Sequence, residues 1–105
     1  LGDLDPVTTP RTRSGADHVY HLYVVQVPDR DDLRASLADA GVQTGIHYAT
    51  AAHQHPAVER RLDATPSVPL TERLVDRILS LPMHPRITET EINRVCAAIE
   101  RHYDR

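Results

Sequence analysis

The sequence predicts a small two-layer α+β domain, a mainly antiparallel sheet with helices on one side. Three observations lead there: β-rich runs at 19–27 and 42–48, amphipathic helical runs at 29–40 and after Thr88, and a total of 105 residues. The strands are too few for more than a small sheet, and the helices carry matching apolar stripes, so two layers can share one core. A chain of this length suits a single domain of radius about 13 Å.

Residues 1–17 hold Gly2, Pro6, Pro10, Ser14 and Gly15 without a hydrophobic period. They read as a loose linker leading into a domain at 18–105. The run from Val19 to Val27 is β-branched and aromatic and stops at Pro28. Apolar residues occupy both of its faces, which predicts a central strand covered on two sides. From Asp29 to Ala40 a helix is expected, with Asp29 as N-cap, Leu33, Leu37 and Ala40 as the buried stripe, and Gly41 at C′. The alternation Val42-Gln43-Thr44-Gly45-Ile46-His47-Tyr48 predicts a strand whose Val42, Thr44, Ile46 and Tyr48 share a face, leaving His47 on the other. A short helix begins with Pro56 at N1 and runs to Leu62. Leu70, Leu74, Ile78 and Leu81 predict a helix over 71–79, ended by Pro82, and the following 81–85 reads as extended. Thr88 and Glu91 form a capping box for the last helix, Ile87 and Ile92 can staple it, and Ile92, Val95, Cys96, Ile99 and Tyr103 line its inner face. Cys96 thereby reads as a small core residue.

The net charge is −3, from 12 Lys+Arg and 15 Asp+Glu. With no basic run, a nucleic-acid partner is not expected. No apolar run reaches the roughly 18 residues of a membrane helix, so no membrane role is expected either. One cysteine allows no internal disulfide, which makes a reducing cytoplasm the default compartment. All 12 of the Lys+Arg residues are arginine, and the only methionine is Met83. The chain therefore reads as a piece of a longer protein.

Seven histidines invite a metal reading, but His47, His53 and His55 match no zinc spacing, and no metal is expected. His18 and His21 flank a strand start and read as edge residues or local pairs. No glycine-rich phosphate loop and no Gly-x-Ser-x-Gly elbow occur. No catalytic constellation is assembled within the chain. The segment shaped for contact is Thr44-Gly45-Ile46-His47-Tyr48, followed by His53. Gly45 leaves an open spot beside His47, and both His47 and Tyr48 carry hydrogen-bonding tips. The plain alternative is that they are strand-end residues on a wet face.

The stretches Arg30 to Leu37, Ala40-Gly41-Val42-Gln43-Thr44-Gly45-Ile46-His47-Tyr48, His53, Glu72-Arg73 and Leu79-Ser80-Leu81-Pro82-Met83 occur in that order. Together they resemble the C-terminal small domain of the DegT/DnrJ/StrS family of pyridoxal-phosphate sugar aminotransferases, from His18 to about Tyr103. The resemblance implies a homodimeric enzyme of aminotransferase fold-type I. Its substrate is a keto-sugar nucleotide and its amine donor an amino acid, usually glutamate. It implies that His47, Tyr48 and His53 lie close to substrate or cofactor. Many members carry proline where Ala49 and Ala52 stand here.

A lysine amine holds pyridoxal phosphate as a Schiff base, and arginine, with its far higher pKa, cannot replace it. The resemblance puts that lysine in a large domain absent from this chain. The chain alone is accordingly expected to bind no cofactor and to be inactive, with the large domain as its partner. A stand-alone, non-catalytic binding module on the same scaffold is the rival reading, and a histidine metal site is a third.

Overall fold

The computed structural model describes residues 1–104; Arg105, the last residue of the expected domain, lies outside them. Its elements are β1 (Tyr23–Gln26), α1 (Arg30–Asp39), a 3-10 turn (Ala52–Gln54), α2 (Pro56–Glu59), α3 (Pro69–Val75), β2 (Ile78–Leu81) and α4 (Glu89–Tyr103). β1 and β2 pair antiparallel, Tyr23 against Leu81 and Val25 against Leu79. Single bridges extend the sheet on both sides, Thr8 to Gln26 and Gly45 to Ser80. The order across the sheet is thus the Thr8 segment, β1, β2 and the Gly45 segment. The α+β class expected from the sequence is what forms.

The pleat divides the strands by period two. Val25, Leu79 and Leu81 are buried and join Leu33 and Leu37 of α1 and Ala98 and Ile99 of α4 in one core. Val24, Gln26 and Ile78 on the opposite face are half-buried. β1 is central in the sheet but dry on one face only, in contrast to the two-sided cover expected of it. It is also shorter than the apolar run. Tyr20 adopts φ 49°, its N–H donates to His18 Nδ1 at 2.8 Å, and the two rings stack with centroids 4.2 Å apart. That local turn breaks extension ahead of Tyr23 and leaves Val19 90% exposed.

α1 ends as its sequence requires. Gly41 sits at φ 77°, the left-handed region where glycine has no Cβ penalty. Its N–H reaches Ala38 O at 2.9 Å and that of Val42 reaches Leu37 O at 2.8 Å. The start differs. Asp29 occupies the N-cap position, but its side chain makes no cap bond. It instead accepts from Tyr103 Oη at 2.6 Å and from His102 Nε2 at 2.8 Å, tying α1 to the end of α4. Burial pushes the Asp29 carboxyl up, but these two hydrogen bonds outweigh it and leave the pKa below the usual carboxylate range. Burial and the bond to Asp29 push the Tyr103 phenol up.

The helix expected over 71–79 is α3 alone. Ile78 and Leu79 belong to β2, and the extended piece falls at 78–81 instead of 81–85. Arg30 explains the break: its buried guanidinium donates through Nη1 to Val75 O at 2.8 Å and Ile78 O at 3.2 Å. A cation on these carbonyls closes the C-terminal end of α3 and turns the chain into β2. The short helix that begins at Pro56 ends at Glu59.

The capping box of α4 forms, with Glu91 N–H on Thr88 Oγ1 at 3.2 Å and Thr88 N–H on Glu91 Oε2 at 2.8 Å. The Thr88 bonds hold the Glu91 carboxyl below its ordinary pKa. Thr88→Ala is expected to cost about 1 kcal/mol in urea unfolding. The inner face of α4 is narrower than expected, with Ala98 and Ile99 buried and Ile92 45% exposed. Cys96 lines an open groove of about 390 Å³ with Leu1, Tyr23 and Leu81 and is only half-buried.

The radius of gyration is 15.9 Å, larger than the 13 Å scaling suggests, because exposed stretches at 11–21 and 54–71 extend from a small core. Of the 1–17 segment expected to be loose, Val7 is buried and Thr8 is stitched to β1.

Candidate functional site

The 42–48 segment pairs with β2 at one point. Gly45 N–H donates to Ser80 O at 3.0 Å, and Ser80 N–H to Gly45 O at 2.7 Å. Val42 is buried and Ile46 packs against the core, so the alternation holds that far and sends His47 to the sheet face opposite the core. Tyr48 leaves the pattern. It is 74% exposed, its ring set edge-on to that of His47 with centroids 5.6 Å apart.

His47 folds back over the sheet. Its Nδ1 lies 2.9 Å from Ser80 Oγ. A Cβ built on Gly45 would stand 2.7 Å from His47 Cε1. The spot beside Gly45 is therefore filled by the His47 ring and is not open to an outside group. Ser80, a lone polar residue in Ile78–Leu81, is 5% exposed. Sequence reasoning placed it only within a motif. The signal that could have singled it out was one hydroxyl in an otherwise apolar strand.

His53 sits apart from this pair. It is 9% exposed, on the 3-10 turn, and its Nε2–H donates to Glu72 Oε1 on α3 at 2.8 Å. The same oxygen accepts from Val68 N–H at 3.3 Å. The bond from His53, followed by that from Val68, holds the Glu72 carboxyl below its ordinary value. A hydrogen bond between Ala51 N–H and Gln54 Oε1 at 3.1 Å closes the turn. The structure thus joins His47 to Tyr48 but anchors His53 to α3, with no hydrogen bond between His53 and either. The chain Arg30, α3, Glu72, His53 makes the last position depend on a residue that sequence reasoning did not single out.

No group of three or more metal-ligating side chains occurs among the described residues, and no helix there is long and apolar enough to cross a membrane. His18 pairs locally, as expected. The donor set does not fit covalent attachment of pyridoxal phosphate, because the chain has no lysine.

An antiparallel sheet backed by helices is also what solved aminotransferases of the DegT DnrJ EryC1 StrS type contain: one from Brucella abortus superposes with a TM-score of 0.85 at 29% identity, over 94% of this chain and 26% of that one. DesV from S. venezuelae superposes with a TM-score of 0.88 at 31% identity, over 94% of this chain and 27% of that one. Residues 1–100 match the DegT/DnrJ/EryC1/StrS aminotransferase family, and the chain belongs to that family. It is 38% identical over 100 residues to the erythromycin biosynthesis sensory transduction protein EryC1 of Saccharopolyspora erythraea, covering 95% of this chain and 27% of that protein. It is 33% identical over 92 residues to UDP-N-acetyl-3-dehydro-alpha-D-glucosamine 3-aminotransferase of Acidithiobacillus ferrooxidans, covering 88% and 24%. The chain spans about a quarter of the length of these relatives.

Proposed function

We propose that this chain is the C-terminal small domain of a pyridoxal-phosphate aminotransferase that aminates a keto-sugar nucleotide, with glutamate as amine donor. The domain begins before residue 18, since Val7 joins its core and Thr8 pairs with Gln26 at the sheet edge. A large domain supplies the lysine and the bulk of the cofactor site, so the chain is silent alone. The whole enzyme acts as a homodimer in the cytoplasm, where a single cysteine stays reduced. His47, Tyr48 and His53 are its substrate- or cofactor-proximal residues.

The observation that carries this reading is the held but outward His47 on the half-covered sheet face, in a chain of this family. An imidazole there can offer one ring nitrogen to a ligand while the other is held by the protein. The chain's length, a quarter of its relatives, supports a shared site over a self-contained one.

Absorbance titration with pyridoxal 5′-phosphate tests the division of labour. The full-length protein is expected to develop the near-visible band of lysine-bound cofactor, and this chain alone is expected not to. Absence of the band in both would remove the aminotransferase reading and favour a non-catalytic binding module.

A further inference from the structure

We propose that Ser80 and Gly45 are positioning residues for His47, together presenting its Nε2–H outward as a hydrogen-bond donor to a phosphate group. This deepens, and rests on, the reading of His47 as a substrate- or cofactor-proximal residue. Ser80 and Gly45 clamp the ring in different ways, and each can be removed separately.

Ser80 supplies the bond. Its side chain is buried, and among the described residues His47 Nδ1, 2.9 Å away, is the hydroxyl's hydrogen-bond partner. Were Nδ1–H to donate to the hydroxyl, the buried hydroxyl proton would be left without an acceptor. Donation from Oγ–H to Nδ1 leaves nothing unpaired. The neutral ring then carries its proton on Nε2, the nitrogen turned away from Ser80, on an exposed side chain. A neutral N–H donor suits a phosphate oxygen.

Gly45 supplies the space. Its backbone is not left-handed, so no conformational demand calls for glycine there. What calls for it is the ring: a Cβ would lie 2.7 Å from Cε1, closer than such atoms approach. The two clamps are also fixed to each other, because Ser80 and Gly45 exchange both backbone hydrogen bonds. Hydroxyl, glycine and ring form one unit built on β2, a core strand. Rigid mounting of this kind lowers the cost of ordering a donor when a ligand arrives.

The test uses the full-length enzyme and five variants: His47→Ala, Ser80→Ala, Ser80→Thr, Gly45→Ala and the double Gly45→Ala/His47→Ala. KM and kcat are read with UDP-N-acetyl-3-dehydro-α-D-glucosamine and with a dTDP-linked 3-keto sugar. His47→Ala is expected to raise KM about tenfold with kcat little changed, the loss of one good hydrogen bond. Ser80→Ala and Gly45→Ala are each expected to raise it several-fold, and Ser80→Thr, which keeps the hydroxyl, to stay near wild type. In the His47→Ala background, Gly45→Ala is expected to add nothing, whereas a merely structural glycine would add its full effect. Long-range ¹H–¹⁵N spectra of histidine-labelled protein give a readout independent of turnover. The wild-type His47 ring is expected to show a bare Nδ1 and a protonated Nε2, and Ser80→Ala to lose that fixed signature.

Weakened inhibition by UDP in these variants would assign the phosphate to the nucleotide; weakened binding of pyridoxal phosphate would assign it to the cofactor. Neither change would overturn the donor role. If His47→Ala raises KM while Ser80→Ala and Gly45→Ala leave both KM and the ring signature alone, the positioning inference falls and the site reading stands. If His47→Ala itself leaves KM, UDP inhibition and cofactor binding unchanged, the site reading falls and takes the phosphate role with it.

Discussion

Arg30→Ala is expected to lower the unfolding free energy by about 3 kcal/mol, a large share of what a small domain has. The side chain is 8% exposed. It is the donor to two carbonyls, Val75 O and Ile78 O, which it joins across the α3–β2 turn. Truncation leaves both without that donor and opens a space where the stem had packed. The contact with Asp31 contributes little, because that carboxylate is 81% exposed and rehydrates freely. Arg30→Lys is expected to recover only part of the loss, since the shorter side chain does not carry its ammonium as far as the position from which Nη1 donates to both carbonyls. Urea unfolding of the three proteins checks this; a loss below about 1 kcal/mol for alanine would mean that water replaces the guanidinium. Because α3 carries Glu72, which holds His53, the variant is also expected to loosen the His53 turn.

Asp29→Ala is expected to cost about 2–3 kcal/mol near neutral pH and to flatten the acid limb of the stability curve. One carboxylate here accepts from both His102 and Tyr103. Its folded pKa is depressed. The stability it contributes is therefore present above the unfolded value, about 3.9, and is lost as pH falls through the folded one. Tyr103 runs the other way. Its folded pKa is raised by burial and by the bond to Asp29, so its contribution is present below about 10 and is lost as pH rises beyond that. Unfolding measured from acid to alkaline pH should show both limbs in the wild type. Asp29→Ala should flatten the acid limb and weaken the alkaline one. Tyr103→Phe should weaken the alkaline limb, leaving the part that comes from Tyr23, whose phenol burial also pushes up, and keep most of the acid one. An unchanged acid slope in Asp29→Ala would deny the carboxylate this role.

What the sequence made legible was local. Gly41 at C′ and the Thr88–Glu91 box are settled by residues within a few positions of each other, and both form as read. The ends of elements were harder, because distant partners decide them. Leu70, Leu74 and Ile78 have helical spacing, yet Ile78 and Leu79 join β1 because a short apolar run fits either period. Asp29 had every mark of a cap, until two residues more than 70 positions later took its carboxylate. At the candidate site the outward turn of His47 followed from alternation. Its bond to Ser80, 33 positions away, and the burial of His53 against Glu72 did not, since both depend on how the loop folds back.

The strand order also bears on how the domain is made. β1 lies near the front of the chain, but its long partner β2 comes only at Ile78–Leu81. A nascent chain can join Thr8 to Gln26 early, which covers one rim of β1. The other rim must wait, unpaired, through the synthesis of more than fifty further residues. Closing so long a span is slow, and apolar strands left waiting are prone to join their neighbours on the same messenger. Tyr23–Gln26 is therefore the stretch on which a ribosome-associated chaperone would be expected to act.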